Sequence, residues 1–445
     1  MLFTQVEFLI FFGVVLAFLA VVRHNRSRKI FLLAASYYFY AYWDWRFLGL
    51  LVFSTLVDFG VGQGLKRTQA GRSRKALLVA SLVCNLGILG FFKYYNFFVE
   101  SLTGLLSPLG LNLSTLPIIL PIGISFYTFQ KLSYTIDLYR GRIEACDDPF
   151  DFALFVGFFP QLVAGPIVRA AHLLPQFKAR RNLSWDQAAS GGRQFVLGFF
   201  KKVFIADRIA FGVDVVFENP AAFGPAAVWL AVLGFAVQIY CDFSGYSDMA
   251  IGAARMMGYD LPVNFRLPYL AVSPRDFWRR WHITLSTWLR DYLYIPLGGN
   301  RKGRGRTYLN LMLTMLLGGL WHGAGLTFVF WGAWHGLALA GDRFLRSVTD
   351  KEEAGRAGKV LGWLVTLLIV LVGWVFFRAE SFSKAFIMLR QMFAPAGVQV
   401  SWLPPFAVFA VGLMILGHGL KEVRLASANG LETARWYAPA VVLAM

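Results

Sequence analysis

The 445-residue chain is 57% hydrophobic and only 15% charged, with a mean hydropathy of +0.55. That balance excludes an ordinary soluble domain and marks an integral membrane protein. The net charge of +18 does not point to nucleic acid, because the basic residues gather in short connections at Arg23–Lys29, Lys66–Lys75, Lys178–Arg181 and Arg301–Arg306 and no nucleic-acid-binding module is present.

Loops of this kind follow the positive-inside rule and are expected on the cytoplasmic side. Crossing the hydrocarbon takes about 20 apolar residues. Apolar runs recur at Phe8–Val22, Ala76–Phe92, Val228–Tyr240, Val360–Phe377 and Phe406–Leu416. The pattern predicts an all-α polytopic membrane protein with about 10 to 12 transmembrane and re-entrant helices. Phe8–Val22 follows Glu7 and precedes arginines, the reverse of a secretory signal, so it reads as a retained first helix. Between two basic loops, Ile30–Gly64 must cross twice, turning near Asp44-Trp45-Arg46. Ala76–Phe92 then leads outward to the polar stretch Glu100–Pro117, and Ile118–Tyr134 returns to Asp137–Arg142. Phe152–Val168 is interrupted by Pro160 and Gly165-Pro166 between two cytoplasmic flanks, so it enters and leaves on one side. Non-helical backbone at depth needs protein or a water-filled cavity around it, which hints at an internal chamber.

Past Val228–Tyr240 the polar cluster Gln238–Asp248 reads either as a capped turn between helices or as the lining of a polar cavity. Arg255–Arg306 is less hydrophobic. Its Arg279, Arg280, Arg290 and Asp291 sit among Trp278, Trp281, Trp288, Tyr292 and Tyr294, as expected of an amphipathic interfacial helix containing His282. The apolar tail Tyr437–Met445 is too short to span by itself. No internal repeat is evident, and residues 1–445 read as one domain.

His322, in Gly318-Gly319-Leu320-Trp321-His322-Gly323-Ala324-Gly325, is the sharpest candidate for chemistry. An ionisable group inside a membrane segment is a functional candidate by default, and imidazole is the natural base for a hydroxyl near neutral pH. The alternative is a histidine hydrogen-bonded to a neighbouring helix for packing alone. His24 and His172 lie in or near basic loops and read as solvated, whereas His335 and His418 lie near small residues and read as packing or helix-end groups. His282 admits either an interfacial or an active-site role. Arg279, Arg280 and Arg290 read as a charged helix face or lipid-headgroup contact, or else as a seat for a phosphorylated or carboxylated ligand. Asp242 and Asp248 are candidate substrate-binding groups in the polar cluster. Cys84, Cys146 and Cys241 are widely separated and show no metal-ligand spacing. Nucleophile-elbow, phosphate-loop and HExxH motifs are absent, and two histidines alone fall short of a usual metal ligand set.

Several motifs carry a further likeness: Pro121–Tyr127, Phe159–Pro166, Phe200–Asp207, Asp242–Gly252, Phe277–Tyr294, Leu316–Gly325 and Gly373–Glu380. Together they resemble the membrane-bound O-acyltransferase family, and in particular its bacterial polysaccharide branch. The resemblance implies that His322 is the family's essential histidine and His282 its second motif histidine. It implies helices around a central tunnel in the bacterial inner membrane, with acetyl-CoA entering from the cytoplasm and no permanently bound cofactor or metal. It also implies O-acetylation of an extracytoplasmic polysaccharide such as alginate, with separate periplasmic acetyltransferase proteins as partners. The rival class is a transporter or polysaccharide-export component that uses buried His and Asp as a proton relay.

Overall fold

The computed structural model describes residues 1–109, 113–179, 181, 184–349, 355–395 and, beyond these, 408–412, 414 and 417. Among the described residues there is no β-strand; the chain is a succession of helices. Four are long and apolar enough to cross a membrane: Arg46–Arg67, Gly71–Leu109, Pro225–Met256 and Arg356–Arg378. Others are shorter, such as the apolar Val6–Val21, or carry charge within their length. Contacts gather the chain into two compact units, Met1–Phe199 with Tyr246–Val263, and Phe200–Gly245 with Asn264–Met445.

The first unit opens with α1 (Val6–Val21) and α2 (Asn25–Ala41). The turn predicted near Asp44–Arg46 separates α2 from α3 (Arg46–Arg67), and it is tied by Arg46, whose guanidinium donates to both Asp44 oxygens at 2.6 to 3.1 Å. α4 (Gly71–Leu89) passes through a π-helical turn, Gly90–Tyr94, into α5 (Tyr95–Leu106). Helix thus reaches well into Glu100–Pro117, where a polar connection was expected, because Phe97, Phe98, Val99 and Leu102 keep that stretch apolar despite Glu100. α6 (Ile124–Tyr139) starts at Gly123, whose φ of +78° and 2.5 Å Cβ approach to the Leu162 carbonyl oxygen leave room only for glycine. The Pro160 and Gly165-Pro166 breaks act as read: α7 (Pro149–Gly157) and α8 (Phe159–Leu162) hold nine and four residues, too few to cross. α9 (Ala170–Lys178) and α10 (Trp185–Phe199) follow. Phe3, Phe8, Phe12, Phe39, Phe159 and Phe195 form the aromatic centre of this core.

Within the same unit, charge is buried among α3, α4 and α6. Asp58 and Lys131 are both fully buried, with Nζ 3.9 Å from Oδ2. The Ser81 hydroxyl donates to Asp58 Oδ1 at 2.5 Å, and the Asn85 amide donates to Oδ2 at 2.8 Å. Lys131 also lies over the Tyr127 ring, 5.1 Å from its centroid.

The second unit begins with a π-helical turn, Phe200–Ala206, leading into α11 (Asp207–Glu218). α12 (Pro225–Met256) runs for 32 residues and carries the chain past Gly245 into the first unit's sequence. The polar cluster Gln238–Asp248 is therefore inside a helix and not a capped turn, since its short polar residues lie among apolar ones that continue the helical pattern. The interfacial helix expected through Arg255–Arg306 is not one element either. It is α13 (Pro274–Arg280) and α14 (Ile283–Leu289), seven residues each, followed by the π-helical turn Arg290–Tyr294. Ser273 accepts from the Asp276 amide and Pro274 occupies the first turn, which starts α13 cleanly. The break falls at His282, whose backbone is left-handed. α15 (Arg304–His322), α16 (Leu326–Thr349), α17 (Arg356–Arg378) and α18 (Phe382–Gln391) complete the described helices that carry the core, in which Phe277, Trp281, Trp331 and Trp374 are almost wholly buried. His418 and Tyr437–Met445 lie outside the described residues.

Candidate active site

His282 is one of two described non-glycine residues with positive φ, at 41°, the other being Leu267. For a residue with a Cβ this left-handed geometry costs about 1–2 kcal/mol, so the surroundings must hold it. They do so through Asn264. The Ile283 amide donates to the Asn264 carbonyl at 2.9 Å, and the Arg266 amide donates to the Arg280 carbonyl at 2.9 Å, lining 264–266 against 280–283. The Asn264 side-chain oxygen meets the Thr284 amide at 3.2 Å, the Thr284 hydroxyl at 3.0 Å and the His282 Nδ1 at 3.1 Å. α13 ends as the Trp281 amide donates to Phe277, and α14 starts as the Ser286 amide donates to the His282 carbonyl. The imidazole is thus planted at a helix break, with no exposure to solvent.

Its walls are aromatic. Phe243 stands edge-on at 4.5 Å, and Trp321 lies 6.0 Å away at 62°. Trp321 is also the neighbour of His322, with ring centroids 5.0 Å apart, so one indole touches both imidazoles. Trp331 and Phe377 also stand edge-on to His322 at 5.0 and 5.3 Å. Burial lowers the pKa of His282 well below the ordinary histidine value, and the nearby His322 lowers it further, both favouring the neutral ring. Unlike His282, His322 is only half-buried, and it closes α15 just before the extended Gly323.

The glycines beside His322 have a packing reason. A Cβ on Gly319 would overlap the Phe328 carbonyl oxygen, and one on Gly332 would overlap that of Met315, so α15 and α16 meet backbone to backbone. His335 does not join the pair. It is buried in α16, 4.8 Å from Trp331 and stacked on Phe277 at 6.0 Å, as the packing reading anticipated. His24 and His172 are exposed.

The other candidates are scattered. Arg279 is exposed; Arg280 donates to Asp276 at 3.0 Å and Arg290 to Asp291 at 2.7 Å. Asp242 pairs with Lys202, which also reaches Asp207 at 2.8 Å. Asp248 belongs to the first unit, where it accepts from Gln194 at 3.0 Å. Among the described residues no three His, Cys, Asp or Glu side chains gather as metal ligands. Sequence reasoning passed over Asn264 because it lies 18 residues before His282 in a stretch without motif or periodicity. Its Asn-Phe-Arg context carries no signal beyond the abrupt loss of hydropathy.

The family model for MBOAT, the membrane-bound O-acyltransferase family, matches residues 147–382, a stretch that contains both histidines. The chain belongs to that family. It is 47% identical over 426 residues to the probable alginate O-acetylase of Pseudomonas aeruginosa, covering 94% of this chain and 80% of the relative. It is 39% identical over 401 residues to the peptidoglycan O-acetyltransferase of Helicobacter pylori, covering 84% and 75% respectively. A more distant likeness, 25% over 279 residues, is to the teichoic acid D-alanyltransferase of Bacillus subtilis, covering 59% and 69%. This membrane acyltransferase therefore has relatives whose names span alginate, peptidoglycan and teichoic acid.

Proposed function

We propose that the chain transfers acetyl groups from cytoplasmic acetyl-CoA across the bacterial inner membrane for O-acetylation of an extracytoplasmic polysaccharide such as alginate, with His322 as the general base. The observation that carries this reading is the pair of histidines around Trp321, one half-buried and one sealed, in a family of acyltransferases. The 47% identity to a probable alginate O-acetylase supports the acetyl group and the polymer class.

The acceptor hydroxyl gives its proton to His322 while its oxygen adds to the thioester carbonyl carbon. The tetrahedral intermediate collapses as the carbon–sulfur bond breaks. The imidazolium then returns the proton to the departing thiolate, leaving an acetyl ester and free thiol. General-base help of this kind is worth about 100- to 10,000-fold. The carbonyl end of α15 carries partial negative charge, which favours the imidazolium formed at its last residue.

The phosphates of the donor cannot enter hydrocarbon unpaired, and a polymer outside cannot reach the cytoplasm. This requires a passage open to both faces, with Arg279, Arg280 and Arg290 holding the phosphate end, Asp242 and Asp248 as further substrate-binding groups, and periplasmic acetyltransferase proteins taking the acetyl group onward. Incubating the purified protein with acetyl-labelled acetyl-CoA and a hydroxyl acceptor tests it. Acceptor-dependent thioester cleavage that His322→Ala abolishes is the expected result. An intact thioester, with proton flux through reconstituted vesicles instead, would replace it with the transport reading.

A further inference from the structure

The Asn264 side chain fixes more than the place of His282. Its terminal atoms, oxygen and nitrogen, are distinguished by their neighbours. The Thr284 backbone N–H can only donate, and it points at the Asn264 side-chain atom from 3.2 Å. That atom must therefore be the oxygen, since an amide nitrogen there would set donor against donor. The same oxygen lies 3.1 Å from His282 Nδ1 and can only accept, so Nδ1 must carry the hydrogen. The remaining nitrogen, Nε2, is then a bare lone pair. It is fully buried and has no hydrogen-bond partner among the described residues.

We propose that Asn264 is a positioning residue that locks His282 as the Nδ1–H tautomer, so that its bare Nε2 accepts a hydrogen bond from the hydroxyl of the acyl acceptor. Buried acceptors without donors are uncommon in folded proteins, and each calls for a partner. The thioester carbonyl cannot be that partner, because it too is only an acceptor. The acyl acceptor is the substrate that brings an O–H. Neutral His282 thus holds and orients the attacking group, and it does not stabilise the oxyanion; His322 removes the proton. Asn264 acts through His282 and need not touch the substrate. The left-handed backbone at His282 serves the same end, since Asn264 grips both the ring and the amide that follows it.

This proposal rests on the acyl-transfer reading for its substrate, but its first test does not need activity. The full-length protein is labelled with ¹⁵N-histidine in lipid bilayers, and the His282 signals are assigned by their loss in His282→Gln. The expected spectrum near neutral pH shows a protonated Nδ1 and an unprotonated Nε2. A protonated Nε2 in the neutral ring would overturn the proposal, whatever the enzyme does.

The second test is kinetic. Asn264→Asp keeps an oxygen acceptor and should retain the tautomer and most of the activity. Asn264→Ala should lose the tautomer preference and lower kcat/KM for the acceptor about 10- to 100-fold, the scale of a misplaced reacting group. KM for acetyl-CoA should stay unchanged. A folded Asn264→Ala protein with wild-type acceptor kinetics, or equal damage to donor KM, would overturn it. If the wild-type protein left acetyl-CoA intact, the acyl-transfer reading would fail while the nitrogen spectrum still decided the tautomer.

Discussion

Each unit buries a polar cluster around one titratable group, Asp58 in the first and His282 in the second, and the two groups are satisfied differently. In the first, every oxygen of the Asp58 carboxylate meets a donor, and a buried ammonium balances the charge. In the second, Asn264 satisfies one nitrogen of His282 and leaves the other bare. The Asp58 carboxylate, with both oxygens met, ties α3, α4 and α6 together, while Lys131 Nζ and Asn85 Oδ1 beside it have no hydrogen-bond partner among the described residues. An open cluster is costly to the fold unless something arrives to complete it. The difference separates a structural use of buried polarity from a chemical one.

That separation breaks first, and hardest, at His322. His322→Ala should lower acetyl transfer by about 100-fold or more, while insertion and thermal unfolding in detergent stay near wild type, as the half-buried ring at a helix end suggests. A well-expressed variant with near-normal turnover would remove His322 from the chemistry. The converse experiment is Asp58→Ala. It strands Lys131 as an uncompensated buried cation, at a cost of about 3–5 kcal/mol. Replacing both residues, as Asp58→Leu with Lys131→Met, should restore most of the stability and leave turnover per folded molecule intact. A stable double variant without activity would show that the first cluster is chemical after all.

The smallest effect concerns pH. Asp148 caps α7, and although partial burial pushes its carboxyl up, Lys29 and the Phe150 amide outweigh that and hold it below the usual aspartate value of 3.8. A depressed carboxyl contributes stability above the unfolded pKa and loses it as pH falls through the folded one. Unfolding temperature should therefore drop as pH falls through and below the ordinary aspartate range, and Asp148→Asn should flatten that slope. The side chain is 39% exposed, so solvent screening limits the gain to under about 1 kcal/mol. An unchanged slope in Asp148→Asn would assign the acid sensitivity elsewhere.

Much of the fold was legible because desolvation dominates it. Apolar runs long enough to need hydrocarbon became helices, and Pro160 with Gly165-Pro166 broke theirs, since neither effect depends on distant partners. Boundaries went astray where local signals were weak: nothing near Glu100 or Asp242 opposes helix strongly enough to stop it. His322 and His282 stood out by residue type alone. What brought them to one indole did not, because the break at His282 is enforced by Asn264 across a gap with no periodicity. The arginines are legible as charge, but their pairing is not: Arg280 meets Asp276 four residues back and Arg290 meets the adjacent Asp291.

The left-handed backbone at His282 also sets the terms on which this protein can be improved. Glycine would occupy φ 41° without penalty, whereas histidine carries a steric cost that the fold must absorb. Glycine at 282 would relieve that strain but empty the space that the buried ring fills, so the backbone gain and the packing loss oppose each other. The ring that the chemistry needs is thus also one that the packing keeps, and stability alone need not select against it.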